Sequence, residues 1–287
     1  MLAIPILDEP PNPPPITQGN GFPLVGEVRF IDDAADPNPT TLWGRVDCER
    51  RRRVRLLPTG GDPHPRADGT AQAHDGFRRL RVLDGDDVSG ERCELGLNNH
   101  LESPVALYRE GDRLITFLSL RLPARFPLGR DDFQIALQMK QSQPSDAGGG
   151  PPVLALEADG GRWLVRHRGA TPSGINDDEV LWSAPARKSI WARFALDVLY
   201  SADGRQGSFK VAADLNEDGD ALDERESSSR FTLQTLKRES DGDDSDGVVS
   251  GASIPSHLRV GIYHSDEYRC RRHKCSIDVD NVGVYSP

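Results

Sequence analysis

No run of apolar residues in this chain approaches the roughly 20 needed to cross a bilayer as a helix. No membrane partner is expected. Helical periodicity is scarce as well: there is no long amphipathic helix to read, and "SSSRFTLQTLKRE" at 227–239 is the best candidate for a short one. That argues against all-α and alternating β/α architectures. Bulk positive charge is missing, because 35 Lys and Arg face 45 Asp and Glu for a net −10. A nucleic-acid partner bound through overall charge is therefore not expected. Aromatic residues make up 6% of the chain, with 4 Trp. The opening "MLAIPILDEPPNPPPITQGNGFPLVGE" lacks a basic segment followed by an apolar one, so no signal peptide is expected in this chain.

Cysteine is sparse too, at four residues: Cys48, Cys93, Cys270 and Cys275. A small even number suits an oxidising compartment, so a secreted or extracytoplasmic protein is expected. Cys270 and Cys275 are spaced to staple a tight hairpin, which leaves Cys48 and Cys93 to pair. The alternative is zinc on Cys270, His273 and Cys275, a spacing with no clear fourth ligand.

What the chain does contain is turn chemistry and strands. Gly 28 and Pro 22 punctuate a sequence of mean hydropathy −0.54. Residues 1–22 are proline-rich and read as an extended arm, and 23–287 as one domain. Strand-like runs fall at 77–83, 90–97, 112–122, 132–140, 152–158, 162–168, 191–201, 207–215, 257–265 and 275–285. "EADGGRW" at 157–163 and "SADGRQGS" at 201–208 read as hairpin turns. Long loops are expected at 141–151 and 239–254. About ten closely spaced strands without intervening helices predict an all-β fold, a β-jelly roll or concanavalin A-like sandwich of two antiparallel sheets. A monomer is expected.

Three strands carry unusual polar faces. In "DDFQIALQMKQ" (131–141), Phe133, Ile135, Leu137 and Met139 alternate with Asp132, Gln134, Ala136, Gln138 and Lys140. In "GERCEL", Arg92 and Glu94 share a face opposite Glu91, Cys93 and Leu95. In "HLRVGIYH", Arg259, Gly261 and Tyr263 lie opposite Leu258, Val260, Ile262 and His264. If these faces meet on one sheet they line a polar groove; otherwise they are the solvent face of a sandwich. Arginines also cluster in "ERRRRVR" (49–55), "FRRLR" (77–81), "RWLVRHR" (162–168) and "YRCRRHK" (268–274), a pattern that can hold an anionic ligand or solvate strand faces. Separately, Asp214, Asn216 and Asp218 with Gly219 have the D-x-N-x-D-G spacing of a calcium loop. Position twelve is Arg225 rather than Glu, so Asp220, Asp223, Glu224 or Glu226 would have to complete the shell. A structural calcium is one expectation there; an acidic turn is the other. Asp280 in "DVDNV" is a further possible oxygen ligand.

The order of "SGERCEL", "YREGDRLITFLSLRLPARFP", "FQIALQMKQ", "PPVLALEADGGRWLVRHRG", "WARFALDVLYSADGRQGSFKVAADLNEDG" and "LRVGIYHS" resembles the jelly-roll polysaccharide lyases of the heparin lyase I, glucuronan lyase and alginate lyase type. The resemblance covers roughly residues 75–287. It implies an anionic polysaccharide substrate, a uronate polymer cut by β-elimination. On that template Gln138 grips the uronate carboxylate with Arg92, Tyr263 is the acid and also a candidate base, and His100 is the second candidate base. Lys140, Gln134, Arg259 and Asn98 would bind substrate, and Glu94 would orient Arg92. The rival reading is a non-catalytic carbohydrate-binding module of the same fold. Such modules prefer exposed aromatics, and their scarcity here favours the lyase. A glycoside hydrolase would need two facing carboxylates, and Glu91 and Glu94 fall on opposite faces.

Overall fold

The computed structural model describes residues 19–70, 75–83, 85–87, 90–97, 107–129, 134–141, 151–171, 174–238, 252–264 and 275–287. In chain order its strands are β1 (Val28–Asp32), β2 (Arg45–Cys48), β3 (Val54–Leu57), β4 (Phe77–Val82), β5 (Arg92–Gly96) and β6 (Arg113–Arg121). They continue as β7 (Gln134–Gln141), β8 (Leu154–Asp159), β9 (Arg162–Thr171), β10 (Gly174–Pro185), β11 (Trp191–Leu199) and β12 (Ser208–Asp214). The remainder are β13 (Phe231–Thr232), β14 (Lys237–Arg238), β15 (Ser253–Ile254), β16 (Ser256–His264) and β17 (Cys275–Tyr285).

Among the described residues, two large antiparallel sheets carry the fold, with β14 and β15 as a separate two-stranded pair. One runs β13-β12-β11-β6-β17-β4-β3, with β1 also on β17; the other runs β10-β9-β8-β7-β16-β5-β2. All ten strand expectations are met within a few residues at their ends. The β8–β9 hairpin turns at Gly160 and Gly161, both at positive φ, as the Asp-Gly-Gly sequence predicts.

The strands β1, β2, β3 and β10 went unread. They lie at or near sheet edges or in polar segments without clean alternation, so periodicity gives little signal. The expected helix at 227–239 is absent. That segment forms β13, pairing with β12, and β14, pairing with β15. Its apolar residues Leu233 and Leu236 are nonetheless buried against the core, so tertiary burial overrides a weak helical pattern.

The inner faces of both sheets supply a single core. Leu95, Leu137, Leu258 and Val260 from one meet Leu118, Leu120, Phe194, Ile277 and Val279 from the other. All four Trp are buried. A charged pair is buried with them: Arg78 makes two hydrogen bonds to Asp32, at 2.8 and 2.9 Å, and Trp43 Nε1 donates to the same carboxylate. A smaller apolar cluster sits on the outer side of the first sheet, where Phe22 packs on Phe117 beside Ile115, Ala195, Ala212 and Tyr285.

Cys48 and Cys93 are cross-strand partners on β2 and β5 and form a disulfide, as expected. Cys275 is also disulfide-bonded. Cys270 and His273 lie outside the described residues.

Candidate functional site

The three polar strands are neighbours. β16 sits between β7 and β5, with Arg259 opposite Gln138 on one side and Tyr263 opposite Arg92 on the other. Their outward faces therefore join, and a cavity of about 500 Å³ opens over them, lined by Arg92, Ile135, Gln138, Lys140, Pro151, Pro152, Arg168 and Tyr263. β16 approaches β5 closely at Gly261. A Cβ there would lie 2.2 Å from the Cys93 carbonyl oxygen and 2.7 Å from Glu94 Cα, so only glycine lets the two strands meet.

Strict alternation fails at one point. The β7–β8 register shifts between Ile135 and Leu137, and the β7–β16 register shifts opposite it. The bulge turns Ile135 into the groove and Ala136 into the core. It also carries Gln134 away. That side chain is buried, donates to the Pro127 carbonyl and does not line the cavity. Gln134, expected to bind substrate, therefore lies on the face away from the groove, because an extra residue in the strand reverses its face.

Glu94 organises the floor. It is 1% exposed, and Gln138 Nε2 donates to its Oε1 at 2.6 Å. Its Oε2 lies 3.5 Å from Arg92 Nη1 and 3.7 Å from Arg259 Nη1. So Glu94 contacts Arg92, Gln138 and Arg259 together. Arg92 lies over the Tyr263 ring, its guanidinium carbon 3.9 Å from the centroid, which fixes the phenol's orientation.

Arg259, expected to bind substrate, is buried beneath this layer. Its Nη1 pairs with Asp47 at 3.0 Å and its Nε donates to His257 Nε2 at 3.0 Å. His257 therefore accepts and stays neutral; burial first, then Arg259, Arg45 and Lys140, push its pKa down to about 3. Neither His257 nor Asp47 was read from the sequence as a site residue, because each matters only through cross-strand partners. Arg168, which in the sequence is one member of the "RWLVRHR" stripe, reaches the groove from β9 while paired to Glu157 at 3.0 Å.

Lys140 closes the cationic side. Burial, then Arg259, Lys237 and Arg92, push its ammonium down to about 8. His264 points to the opposite face from Tyr263, is fully buried and meets Glu91 at 3.2 Å. Glu91 and Glu94 therefore do not face each other across the groove. Asn98 and His100 lie outside the described residues.

The 214–220 loop is a series of self-capping turns. Asp214 accepts backbone N–H bonds from Asn216, Glu217 and Gly219 at 3.2, 2.8 and 2.9 Å. Asn216 Nδ2 donates to Asp218 and Asp223, and Asp218 accepts from the Asp220 N–H. Among the described residues no group of three or more His, Cys, Asp or Glu is arranged to hold a metal ion. Asp280, on β17 of the same sheet as β12, accepts N–H bonds from Asp62 and Asn281, both at 2.8 Å, and burial raises its carboxyl to about 8.

The sequence model of one family, described as polysaccharide lyase, matches residues 58–281. Among solved structures, the chain is similar to an endo-β-1,4-glucuronan lyase from the fungus Trichoderma reesei, at 14% identity and a TM-score of 0.57, covering 91% of this chain and 96% of that one. It is less similar to an alginate lyase from Pseudomonas aeruginosa, at 13% identity and a TM-score of 0.45, covering 74% and 83% of the two chains. The glycoside hydrolase family 131 catalytic domain from Coprinopsis cinerea matches at 10% identity and a TM-score of 0.47, covering 82% and 78%. No curated protein matches the chain. The glucuronan lyase supports the fold: two antiparallel sheets in a jelly-roll sandwich.

Proposed function

The chain belongs to the polysaccharide lyase family, and from that premise we propose that it cleaves a uronate-containing polysaccharide by β-elimination. One observation carries the reading: Arg92, Gln138, Lys140 and Tyr263 converge from three adjacent strands on a single cavity. The glucuronan-lyase likeness of the fold is consistent with a uronate substrate.

The C5 proton of a uronate is weakly acidic until its carboxylate charge is offset. Arg92 and the Gln138 amide supply that offset as an enolate develops. The Tyr263 oxygen, entering as the phenolate, takes the C5 proton, and the electron pair left on carbon forms the C4–C5 double bond as the C4–O4 bond breaks. The departing O4 oxygen receives a proton from the same phenol. Among the described cavity residues, Tyr263 and Lys140 are the groups able to exchange a proton. Lys140 is assigned to binding, because it sits among cations that favour an anionic sugar beside it. Burial of all four Trp removes the exposed indoles a binding module would stack on sugars. The Cys48–Cys93 disulfide supports an oxidising, extracytoplasmic setting.

The test is ultraviolet absorbance during incubation with glucuronan, alginate and sulfated glycosaminoglycans. The eliminated product carries an absorbing unsaturated uronate end. A rise with one polymer is the expected result. No rise with any of them, for folded protein that still binds one, would return the site to a binding module.

Lys140 gives a pH signature. Its pKa near 8 lies below the 10.5 of a free lysine, so it loses its charge as pH rises through 8. KM for the anionic polymer is expected to climb over that interval while kcat changes less. Lys140→Met should raise KM about tenfold at pH 7, in keeping with loss of one charged hydrogen bond, and flatten that limb. A collapse of kcat instead would make Lys140 the base.

Calcium at 214–220 is tested apart from turnover. A site at a hundred times its Kd adds about 2.7 kcal/mol of stability. A Tm that rises with calcium and falls with chelator would establish a structural ion. An unmoved Tm would leave the loop a self-capped turn.

A further inference from the structure

The two arginine-rich stretches nearest the N-terminus do not reach the groove. They meet on the other sheet. The register of that sheet places Arg55 opposite Arg79, Arg79 opposite Asp278, Asp278 opposite Arg121, and Arg121 opposite Trp191. Cross-strand partners project to one side, so these five residues form one row. The side is the outer one, since the alternating neighbours Leu80, Ile277, Leu120 and Ala192 belong to the core. Arg81, opposite Ser276 and two residues from Arg79, shares that face.

The row is built rather than loosely solvated. Asp278 is fully buried and holds Arg79 through two hydrogen bonds, at 2.6 and 2.9 Å, and Arg121 at 3.0 Å. The Arg121 guanidinium lies 4.5 Å from the Phe77 ring centroid and 4.4 Å from that of Trp191. Its Nη1 also donates to the Gly60 carbonyl. A cavity of about 390 Å³ opens here, lined by Arg79, Arg121, Pro123, Ala124, Arg125, Ser189, Ser276 and Asp278. Arg55, Arg81 and Arg125 make no ion pair among the described residues. Burial and then crowding by Arg55 and Arg53 depress the Arg81 guanidinium. Five arginines thus gather around Asp278, with Asp86 also acting on Arg81, within a protein of net charge −10.

We propose that this outer face is a second binding site for an anionic polysaccharide chain, laid across β3, β4, β17 and β6 and separate from the groove. Three strand steps of about 4.8 Å put Arg55 and Arg121 about 14 Å apart, the reach of an oligosaccharide rather than of one small ion. Arg79 and Arg121 spend N–H groups on Asp278 and Gly60, while Arg55, Arg81 and Arg125 keep theirs for carboxylates and sulfates, which guanidiniums grip through paired N–H bonds. A nucleic acid fits less well. The net charge repels a continuous polyphosphate, and Phe77 and Trp191 already carry guanidiniums where bases would stack. Such a site would hold polymer near the enzyme between cuts and raise the effective concentration at the groove.

The test uses the three arginines that make no ion pair. Arg55→Ser, Arg81→Ser and Arg125→Ser are combined in the full chain, with and without Tyr263→Phe. Retardation is read in affinity gels containing polyglucuronate, alginate or heparin. Loss of three exposed contacts is expected to weaken retention by the best-bound polymer about tenfold, and to make it less salt-sensitive. Turnover of a short uronate oligosaccharide that fills only the groove should be unchanged. Retention equal to the parent's in every gel would overturn the proposal. So would an oligonucleotide that displaces the protein from the gel as well as the free polyuronate does. The gel reads binding, not elimination. Arginine-dependent retention without any ultraviolet rise would sink the lyase reading and leave this site standing; turnover with arginine-independent retention would do the reverse.

Discussion

Tyr263→Phe is expected to lower kcat by about a thousandfold, within the usual range for loss of a general acid–base group, and to leave Tm within a degree or two. The substitution removes one oxygen and nothing else from the groove. The ring that carries the Arg92 guanidinium at 3.9 Å stays, so the arginine keeps its seat. Tyr263 is only partly buried, so no core contact is lost. KM should change little, because the phenol is assigned to moving protons rather than holding charge. Gln138→Ala makes the complementary case. It removes an amide that stabilises the enolate, and should cost about a hundredfold in kcat, the lower end for a donor of this kind. Measuring both by the ultraviolet assay, with Tm alongside, separates chemistry from folding. Near-parent kcat in both variants would remove the proposed mechanism.

Much of this site was legible because a strand's period of two sorts residues without any knowledge of partners. Arg92 with Glu94, and Arg259 with Gly261 and Tyr263, fall on one face by parity alone, and the structure keeps them there. The disulfide followed from four cysteines and one tight pair. What parity could not supply was the bulge. A single extra residue between Ile135 and Leu137 exchanges faces for everything before it, so Gln134 leaves the groove and Ile135 enters it. No residue in "FQIALQ" signals that shift; it comes from pairing with β8 on one side and β16 on the other.

Depth was equally invisible. Arg259 has the parity of a groove residue, yet β2 supplies Asp47 and His257 stands beside it, so it is drawn under the surface. β2 is four residues long, polar, and too short for a periodic signal. The arginine stripes show the same limit from the other side. Within "FRRLR", Arg78 is buried against Asp32 while Arg79 and Arg81 face outward. Composition marks the stripe, but only the register shows that it is two features. Those two outward arginines then find Arg55 and Arg121 through pairings that skip over long stretches of chain.

Glu94→Ala should be the most damaging single change in stability. Glu94 is almost wholly buried and meets three donors: Gln138, Arg92 and Arg259. Deleting it leaves two guanidiniums beside each other with Asp47 as the nearby carboxylate. Breaking a buried charge network in this way costs about 3–5 kcal/mol, and a chain of this size loses about 2–4 °C of Tm per kcal/mol. A fall in Tm of about 10 °C is therefore expected, together with loss of turnover. Stability alone would not show what Glu94 does for the reaction, so Glu94→Gln is the informative partner. Its amide preserves shape and can still accept from Gln138, but it brings no charge to Arg92 and Arg259. Its Tm should fall less, while kcat falls about tenfold or more as Gln138 and Arg92 lose their fixed orientation, with KM moving little. If Glu94 acts by positioning Gln138, the effects cannot add. Glu94→Gln combined with Gln138→Ala should be little slower than Gln138→Ala alone. Full additivity would mean that the carboxylate works independently of the amide it touches, and an unaltered Tm in Glu94→Ala would mean that the buried network is not what holds the groove floor.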